Sequence, residues 1–141
     1  MVSISTIRAP LFVPANRPER FSKAAASGAD AVILDLEDAI SSEEKGTARK
    51  ELTRSFTELP VIVRINAVGT KWHKADLEAV RNIPFSAVMV PKAESVKGIN
   101  EILDELGDQV SIIALIETAR GIAEARSIAM HSNVERLEPE S

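Results

Sequence analysis

The chain has 141 residues, which suits one domain of ordinary size. Hydrophobic residues make up 45% and charged residues 27%, so a compact core is expected rather than disorder. A formal net charge of −4 and the absence of Cys argue against a nucleic-acid surface and exclude disulfides, thiolate nucleophiles and Cys-ligated metal centres. Without an apolar run near the roughly 18 residues of a membrane helix, or a signal-peptide pattern, the sequence predicts a cytoplasmic protein with no membrane partner.

Short apolar runs rich in Val and Ile recur along the chain and predict β-strands. They are APLFVP (9–14), AVILDL (31–36), VIVRI (61–65), AVMVP (87–91), VSIIALI (110–116) and a weaker run that begins at Val134. None of them alternates cleanly with polar residues, which is typical of strands that are covered on both faces.

Helical patterns separate these strands. They are expected over Pro18–Ala26, from Ser42 to about Phe56, over Asp76–Asn82, from Ser95 to about Leu106, and over Gly121–His131. The alternation predicts an α/β fold with a parallel sheet, in repeating units of about 25 residues that suit a doubly wound sheet or an eight-unit barrel. No glycine-rich nucleotide-binding motif follows the first strand, which disfavours a nucleotide-binding function.

Charged residues stand at the carboxyl end of each complete predicted strand, the edge at which parallel α/β folds bind their ligands. Arg64 lies in an otherwise apolar strand, and a buried guanidinium needs a partner. That partner is either an internal carboxylate, Glu37 or Asp38, or the carboxylate of a substrate. Arg64 is therefore a candidate binding and catalytic residue.

Carboxylates are concentrated at the same edge. Glu117 ends a strongly apolar run and is interpreted as a metal ligand, a general base or the partner of Arg64. Asp35, Glu37 and Asp38 fall within four residues, so either a pKa is raised or a cation relieves the repulsion, unless they form only a helix cap and a solvated turn.

Weaker candidates complete the predicted site. Lys92 is expected to bind substrate or to pair with Glu94 or the other carboxylates, and Gly69 and Thr70 allow the backbone to approach an anion. Acidic residues that suit a hard divalent cation, together with an arginine for a carboxylate, match magnesium-assisted enolate chemistry on a 2-oxo acid.

Five segments carry a family resemblance. The segments APLFVPANRPERFSKAAASGADAVILDLEDAI, VIVRINAVGTKWHKADL, AVMVPKAES and ALIETARGI, with the start of a sixth strand, resemble the citrate lyase beta subunit family of HpcH/HpaI-type aldolases. The resemblance extends from about Arg8 to Leu137. It implies a magnesium-dependent TIM barrel that cleaves or forms carbon–carbon bonds in citryl-, malyl- or citramalyl-CoA, with an acyl-CoA and a 2-oxo acid as products.

The resemblance also implies roles for individual residues. Arg64 resembles the arginine that holds the carboxyl or carbonyl oxygens of the substrate, and Glu117 resembles the first Mg²⁺ ligand. Glu37 and Asp38 resemble acidic residues of the pocket, and Arg17 lies where family members place groups near coenzyme A. The implied assembly is a homo-oligomer or a subunit of a lyase complex.

The chain departs from the family pattern at its end. Glu138-Pro139-Glu140-Ser141 stands where the family continues into a glycine-rich turn with an aspartate, the second Mg²⁺ ligand. We therefore expect residues 1–141 to form a single domain, a partial TIM barrel of five complete β/α units and the start of a sixth strand. Two alternatives remain open: a catalytically inactive interaction subunit that pairs through its open sheet edge, and an open-sheet ligand-binding domain of the flavodoxin-like class.

Overall fold

The structure is a computed structural model that describes residues 4–139. The strands are β1 (Pro10–Pro14), β2 (Ala31–Asp35), β3 (Val61–Arg64), β4 (Ala87–Val90), β5 (Ile112–Ile116) and β6 (Val134–Pro139). The helices are α1 (Phe21–Ala25), α2 (Lys45–Lys50), α3 (His73–Val80), α4 (Val96–Leu106) and α5 (Ala119–Ala129). Short 3-10 helices cover Ile4–Thr6, Pro18–Arg20 and Ser42–Glu44. The expected α/β alternation is confirmed.

The six strands form one parallel sheet in the order β1-β2-β3-β4-β5-β6. A doubly wound sheet reverses its strand order at a switch point, and this sheet does not. Right-handed crossovers between consecutive neighbours place every helix on the same face, as in the wall of a barrel. The partial-barrel prediction is confirmed for residues 4–139, and the flavodoxin-like alternative is wrong on topology. In this part of the chain the sheet is open, with β1 and β6 at its edges.

Both faces of the four central strands, β2 to β5, are buried, which explains why their sequences lack polar alternation. One face packs against the helices through side chains such as Val32, Leu34 and Val63. The opposite face, called the inner face below, carries a second apolar cluster that includes Ile33 and Met89. Residues of the 3-10 helix Ile4–Thr6 and its vicinity close part of this inner face.

Local capping explains where the two longest helices begin. The Ser95 side chain accepts a hydrogen bond from the Gly98 N–H at 3.0 Å at the start of α4. The Thr118 side chain accepts one from the Gly121 N–H at 3.0 Å at the start of α5. Ser and Thr at this position satisfy a backbone N–H that the first helical turn leaves unpaired. Each cap ends the short loop that leads from a strand to the next helix: Val90 to Ser95 after β4, and Ile116 to Thr118 after β5.

The helix predicted from Ser42 to about Phe56 is wrong in its length. The chain forms a 3-10 turn at Ser42–Glu44 and then α2, which ends at Lys50. Beyond it, the hydroxyls of Thr53 and Ser55 hydrogen-bond to each other at 3.0 Å. Such side chains compete with helical backbone bonding, and the segment bends instead so that Phe56 packs on Phe21.

Among residues 4–139, no helix has the length and apolar character needed to cross a membrane. Glu140 and Ser141, in the segment that departs from the family pattern, lie outside the described residues.

Candidate functional site

An arginine–carboxylate pair lies where β2 and β3 end side by side. Asp35 and Arg64 are register partners across the two strands. Arg64 Nε donates to Asp35 Oδ1 at 2.8 Å, and Arg64 Nη2 donates to Asp35 Oδ2 at 2.7 Å. This bidentate geometry is the strong form of an ion pair. Sequence reasoning expected Glu37 or Asp38 as the internal partner of Arg64, and the strand register selects Asp35 instead.

Asp35 is almost fully buried and accepts two further hydrogen bonds, from the Glu37 N–H at 2.9 Å and the Ala39 N–H at 3.0 Å. Burial alone would raise the pKa of Asp35, but the hydrogen bonds and positive charge of Arg64, with the two backbone N–H groups, hold it below its ordinary value. Asp35 is therefore a carboxylate that fixes both the Arg64 guanidinium and the turn carrying Glu37.

Glu37 is a buried carboxyl group whose hydrogen bonding is incomplete. Its Oε2 accepts a hydrogen bond from Lys92 Nζ at 3.1 Å, and its Oε1 lies 3.6 Å from Arg64 Nε. Among the described residues, Oε1 is a buried side-chain oxygen with no hydrogen-bond partner. Burial, with a smaller contribution from Asp38, raises the pKa of Glu37 despite the neighbouring cations. Glu37 therefore takes up a proton at a higher pH than an exposed glutamate.

Lys92 joins the ends of β2, β4 and β5. Its backbone N–H donates to Glu117 Oε2 at 2.7 Å while its ammonium binds Glu37. The hydrogen bond to Glu37 raises the pKa of Lys92. Its φ of 48° places a non-glycine residue in the left-handed region, which costs roughly 1–2 kcal/mol and persists where surrounding contacts enforce it. Lys92 thus pairs with Glu37 rather than with Glu94.

An open cavity with a volume of about 370 Å³ lies beside this cluster on the inner face of the sheet. Its lining includes the polar side chains of Arg64, Asp38 and Glu117, with Met89 and Leu115 as apolar wall. The charged side chains at the carboxyl ends of the strands therefore do lie close together, as predicted, above apolar side chains of the inner face.

The remaining predicted site residues lie away from this ion-pair cluster. Arg17 is exposed in the loop after β1, where its N–H donates to the Pro14 carbonyl. Gly69 has a φ of 90°, and Thr70 Oγ1 donates to the Ala67 carbonyl at 2.8 Å, so both residues build the turn after β3. Their roles toward coenzyme A and an anion stay predictions.

A group of buried polar residues, Lys45, Asn66 and Asp76, lies behind the site, and sequence reasoning assigned a role to none of them. Asn66 is visible in the sequence as a polar residue at the carboxyl end of an apolar strand. Lys45 opens a polar helix and has the pattern of a surface lysine, and Asp76 has that of an exposed helical residue. Their burial depends on the loops that fold over them.

A protein-family model described as HpcH/HpaI aldolase/citrate lyase matches residues 8–138. The chain belongs to this family. A citrate lyase subunit beta-like protein of Mycobacterium tuberculosis is 47% identical over 120 residues, covering 84% of this chain and 42% of the relative. A (3S)-malyl-CoA thioesterase of Cereibacter sphaeroides is 35% identical over 129 residues, covering 88% of this chain and 45% of the relative.

A solved member of the HpcH/HpaI family shares the fold. The crystal structure of CitE from M. tuberculosis in complex with magnesium, acetoacetate and coenzyme A superposes with a TM-score of 0.83 at 42% identity. The match covers 96% of this chain and 49% of CitE. The chain thus spans less than half the length of each curated relative described above.

Proposed function

We propose that residues 1–141 form the N-terminal portion of a citrate lyase beta-type barrel that cleaves or forms a carbon–carbon bond in a hydroxyacyl-CoA. The substrate class is citryl-, malyl- or citramalyl-CoA, and the products are an acyl-CoA and a 2-oxo acid. The observation that carries the proposal is that Arg64, Asp38 and Glu117 line one cavity. Glu37 lies against Arg64, and Lys92 links Glu37 to Glu117 behind that lining. The CitE complex with magnesium, acetoacetate and coenzyme A supports the ligand classes.

The donor set of this edge fits Mg²⁺. Two ion pairs, Asp35–Arg64 and Glu37–Lys92, use both cations of the cluster and leave the carboxylates of Asp38 and Glu117, which line the cavity, outside these pairs. Mg²⁺ prefers oxygen ligands and commonly takes one or two carboxylates together with water and substrate oxygens. Within residues 4–139 no group of three or more His, Cys, Asp or Glu residues forms a complete metal site. Glu117 would hold the ion, with Asp38 as a second carboxylate of the same cavity lining.

Carbon–carbon cleavage requires a proton to leave the substrate hydroxyl and a proton to reach the new acyl-CoA. When bound, Mg²⁺ supplies charge stabilisation to the oxygens of the 2-oxo acid. Arg64, oriented by Asp35, binds a carboxylate or carbonyl oxygen of the substrate. The ionised Glu37, whose raised pKa makes it a stronger proton acceptor than an exposed glutamate, accepts the hydroxyl proton as the bond breaks and returns it to the α-carbon that receives the electron pair. The proton count then balances over one turnover.

The test is turnover of citryl-, malyl- and citramalyl-CoA by the purified 141-residue chain with Mg²⁺, measuring 2-oxo acid and free thiol separately. The free thiol reports thioester hydrolysis, the activity in the name of the Cereibacter relative. Arg64→Ala and Glu117→Ala are each expected to abolish turnover. The matched controls are Arg126→Ala and Glu124→Ala, which alter exposed side chains of α5 and should leave turnover unchanged. Turnover that survives both site substitutions would refute the assignment.

A second candidate function is assembly through the open sheet edge. Leu11 and Phe12 on the edge strand β1 are 41% and 45% exposed, and Leu11 borders an apolar groove of about 400 Å³. An unpaired, apolar strand edge is a template for pairing with another chain. Under this proposal the protein is a cytoplasmic homo-oligomer or a subunit of a lyase complex. Light scattering after size-exclusion chromatography tests it, since a stable monomer at high concentration would refute self-association.

A further inference from the structure

A buried lysine lies directly behind the candidate site. Lys45, the first residue of α2, is only 6% exposed. Its ammonium donates to the carbonyl oxygens of Leu36 and Glu37 and to Asn66 Oδ1, each at 2.9 Å. An ammonium has three N–H donors, so these three bonds use its full capacity. The Trp72 ring covers the ammonium, with its centroid 4.9 Å from Nζ.

Asn66 extends this contact into a fully bonded network. Its side-chain amide donates to the Leu36 carbonyl at 2.9 Å and to Asp76 Oδ2 at 2.7 Å, and its backbone N–H donates to the same oxygen at 2.7 Å. Asp76 is completely buried and binds Arg49 Nε at 2.8 Å. The network therefore ties the segment after β2 to the segment after β3 and to helices α2 and α3.

Burying a charged network costs more desolvation free energy than filling the same volume with apolar side chains. Burying an ammonium costs several kcal/mol unless its donors are satisfied, and an apolar side chain of similar volume often stabilises a core as well. Burial lowers the pKa of Lys45, although the negative charges of nearby carboxylates, chiefly Asp76, act to raise it. An apolar residue cannot, however, bind two consecutive carbonyl groups and fix the course of the chain between them.

The fixed segment is the one that carries the unusual carboxyl of the site. The Glu37 carbonyl faces Lys45 on one side, while its carboxylate lies between Arg64 and Lys92 on the other. The Glu37 N–H is held by Asp35. The Glu37 carbonyl accepts a second hydrogen bond, from the Ile40 N–H at 3.2 Å, within the same turn. Lys45 is the side chain that ties this carbonyl, and the Leu36 carbonyl before it, to helix α2.

We propose that Lys45 is a positioning residue of the candidate active site: by binding the carbonyls of Leu36 and Glu37, it holds the Glu37 carboxylate between Arg64 and Lys92. Lys45 does not line the described cavity, so its effect reaches the site through the backbone. The inference rests on the proposed function for what Glu37 does chemically, whereas the hold on its backbone can be measured without turnover.

The absence of Cys in the sequence allows a test by chemical rescue. Lys45→Cys removes the ammonium, and alkylating its thiol with 2-bromoethylamine in denaturant, followed by refolding, creates thialysine, which restores an ammonium at nearly the same reach. Lys50→Cys, at an exposed position of the same helix, receives the same treatment as the matched control. Lys45→Met provides a second uncharged variant of similar length.

The first readout is hydrogen exchange at the Glu37 and Ala39 amides, both of which donate to Asp35. In Lys45→Cys and Lys45→Met, the Leu36 and Glu37 carbonyls lose their hydrogen bonds to the ammonium. The turn that they hold should then open more often, and exchange of the two amides is expected to be about tenfold faster or more. Alkylation of Lys45→Cys should restore the slow rates, while the Ala114 amide in β5 and all rates in the Lys50→Cys control stay unchanged. Unchanged exchange at Glu37, faster exchange throughout the sheet, or no rescue on alkylation would overturn the proposal.

The second readout is the split between kcat and KM in the assay described above. Because Lys45 acts on Glu37 and not on the substrate, kcat is expected to fall at least tenfold with KM within about twofold, and alkylation should recover kcat. A rise in KM at constant kcat would contradict a positioning role. Absence of turnover in the unsubstituted chain would count against the proposed function alone, and the exchange rates would still decide the role of Lys45.

Discussion

Asp35→Asn is the sharpest perturbation of the pair that orients Arg64. Asp35 accepts four hydrogen bonds: two from Arg64 and one each from the N–H groups of Glu37 and Ala39. Asparagine preserves the shape of the side chain but has one oxygen in place of two. If its NH₂ group replaces Oδ2, its N–H donors face Arg64 Nη2 and the Ala39 N–H, both of which are donors themselves. The Arg64 guanidinium then stays in place, 14% exposed, with half of its bidentate partner gone.

The structure sets the size of the effect. Each lost hydrogen bond to a charged group accounts for about 1.5–3 kcal/mol, and removing one partner of a buried ion pair costs about 3–5 kcal/mol. Glu37 Oε1, 3.6 Å from Arg64 Nε, can take up part of the charge, which favours the lower end of the range. We expect Asp35→Asn to lower the free energy of unfolding by about 3–5 kcal/mol at pH 7.

The assay is urea unfolding, with Asp104→Asn on the exposed face of α4 as the control, for which a change within about 0.5 kcal/mol is expected. The pKa of Asp35 is lowered on folding, so the ionised carboxylate stabilises the fold above the unfolded-state value of about 4, and this contribution is lost as the pH falls through the folded pKa. The difference in unfolding free energy between the unsubstituted chain and the variant should therefore become smaller below pH 4. A loss under about 1 kcal/mol at pH 7, or a difference independent of pH, would refute the reasoning.

Two further predictions follow from the site and its supporting backbone. Burial raises the pKa of Glu37, so ionisation of this side chain destabilises the fold. The unfolding free energy of Glu37→Gln, relative to that of the unsubstituted chain, should therefore increase as the pH rises above the ordinary glutamate pKa. If urea titrations show the same difference at every pH, the Lys92 contact compensates fully for burial and the prediction is wrong. Gly121→Ala should destabilise the fold by about 1–3 kcal/mol because its Cβ would lie 2.5 Å from the Ala93 carbonyl oxygen. Gly46→Ala in α2, where the Cβ meets nothing within 4 Å, should instead stabilise by about 0.5–1 kcal/mol, and equal effects of the two substitutions in thermal unfolding would contradict this geometry.

The sheet was predictable because the reason for it is local. A strand buried on both faces must be apolar at every position, so the runs at Ala31–Asp35 and Val61–Arg64 are visible without knowledge of their neighbours. Arg64 and Glu117 were conspicuous for the same reason, as charges that interrupt or end an apolar run. Alternation of strands and helices also predicted parallel pairing, but it left the doubly wound sheet and the barrel equally open until the strand order was known.

The pairing of charges could not be predicted, because it depends on register. Asp35 and Glu37 lie two residues apart and project toward the same side of the extended chain, so either could meet Arg64. The alignment of β2 with β3 places Asp35 opposite Arg64 and gives Glu37 to Lys92, a residue 55 positions away in the chain. A shift of two residues in register would bring Glu37 opposite Arg64, and a shift of one would place an apolar leucine there.

By itself, the sequence determined the α/β alternation, the apolar strands and the edge at which the charged residues collect, since burial and periodicity are written into neighbouring residues. Only the tertiary structure decided that Asp35 holds Arg64, that Glu37 keeps an unpaired buried oxygen, and that Lys45 is a buried clamp rather than a surface lysine. Burial of a polar side chain depends on distant segments that fold over it and supply its partners. Its energetic role therefore emerges only when those segments meet.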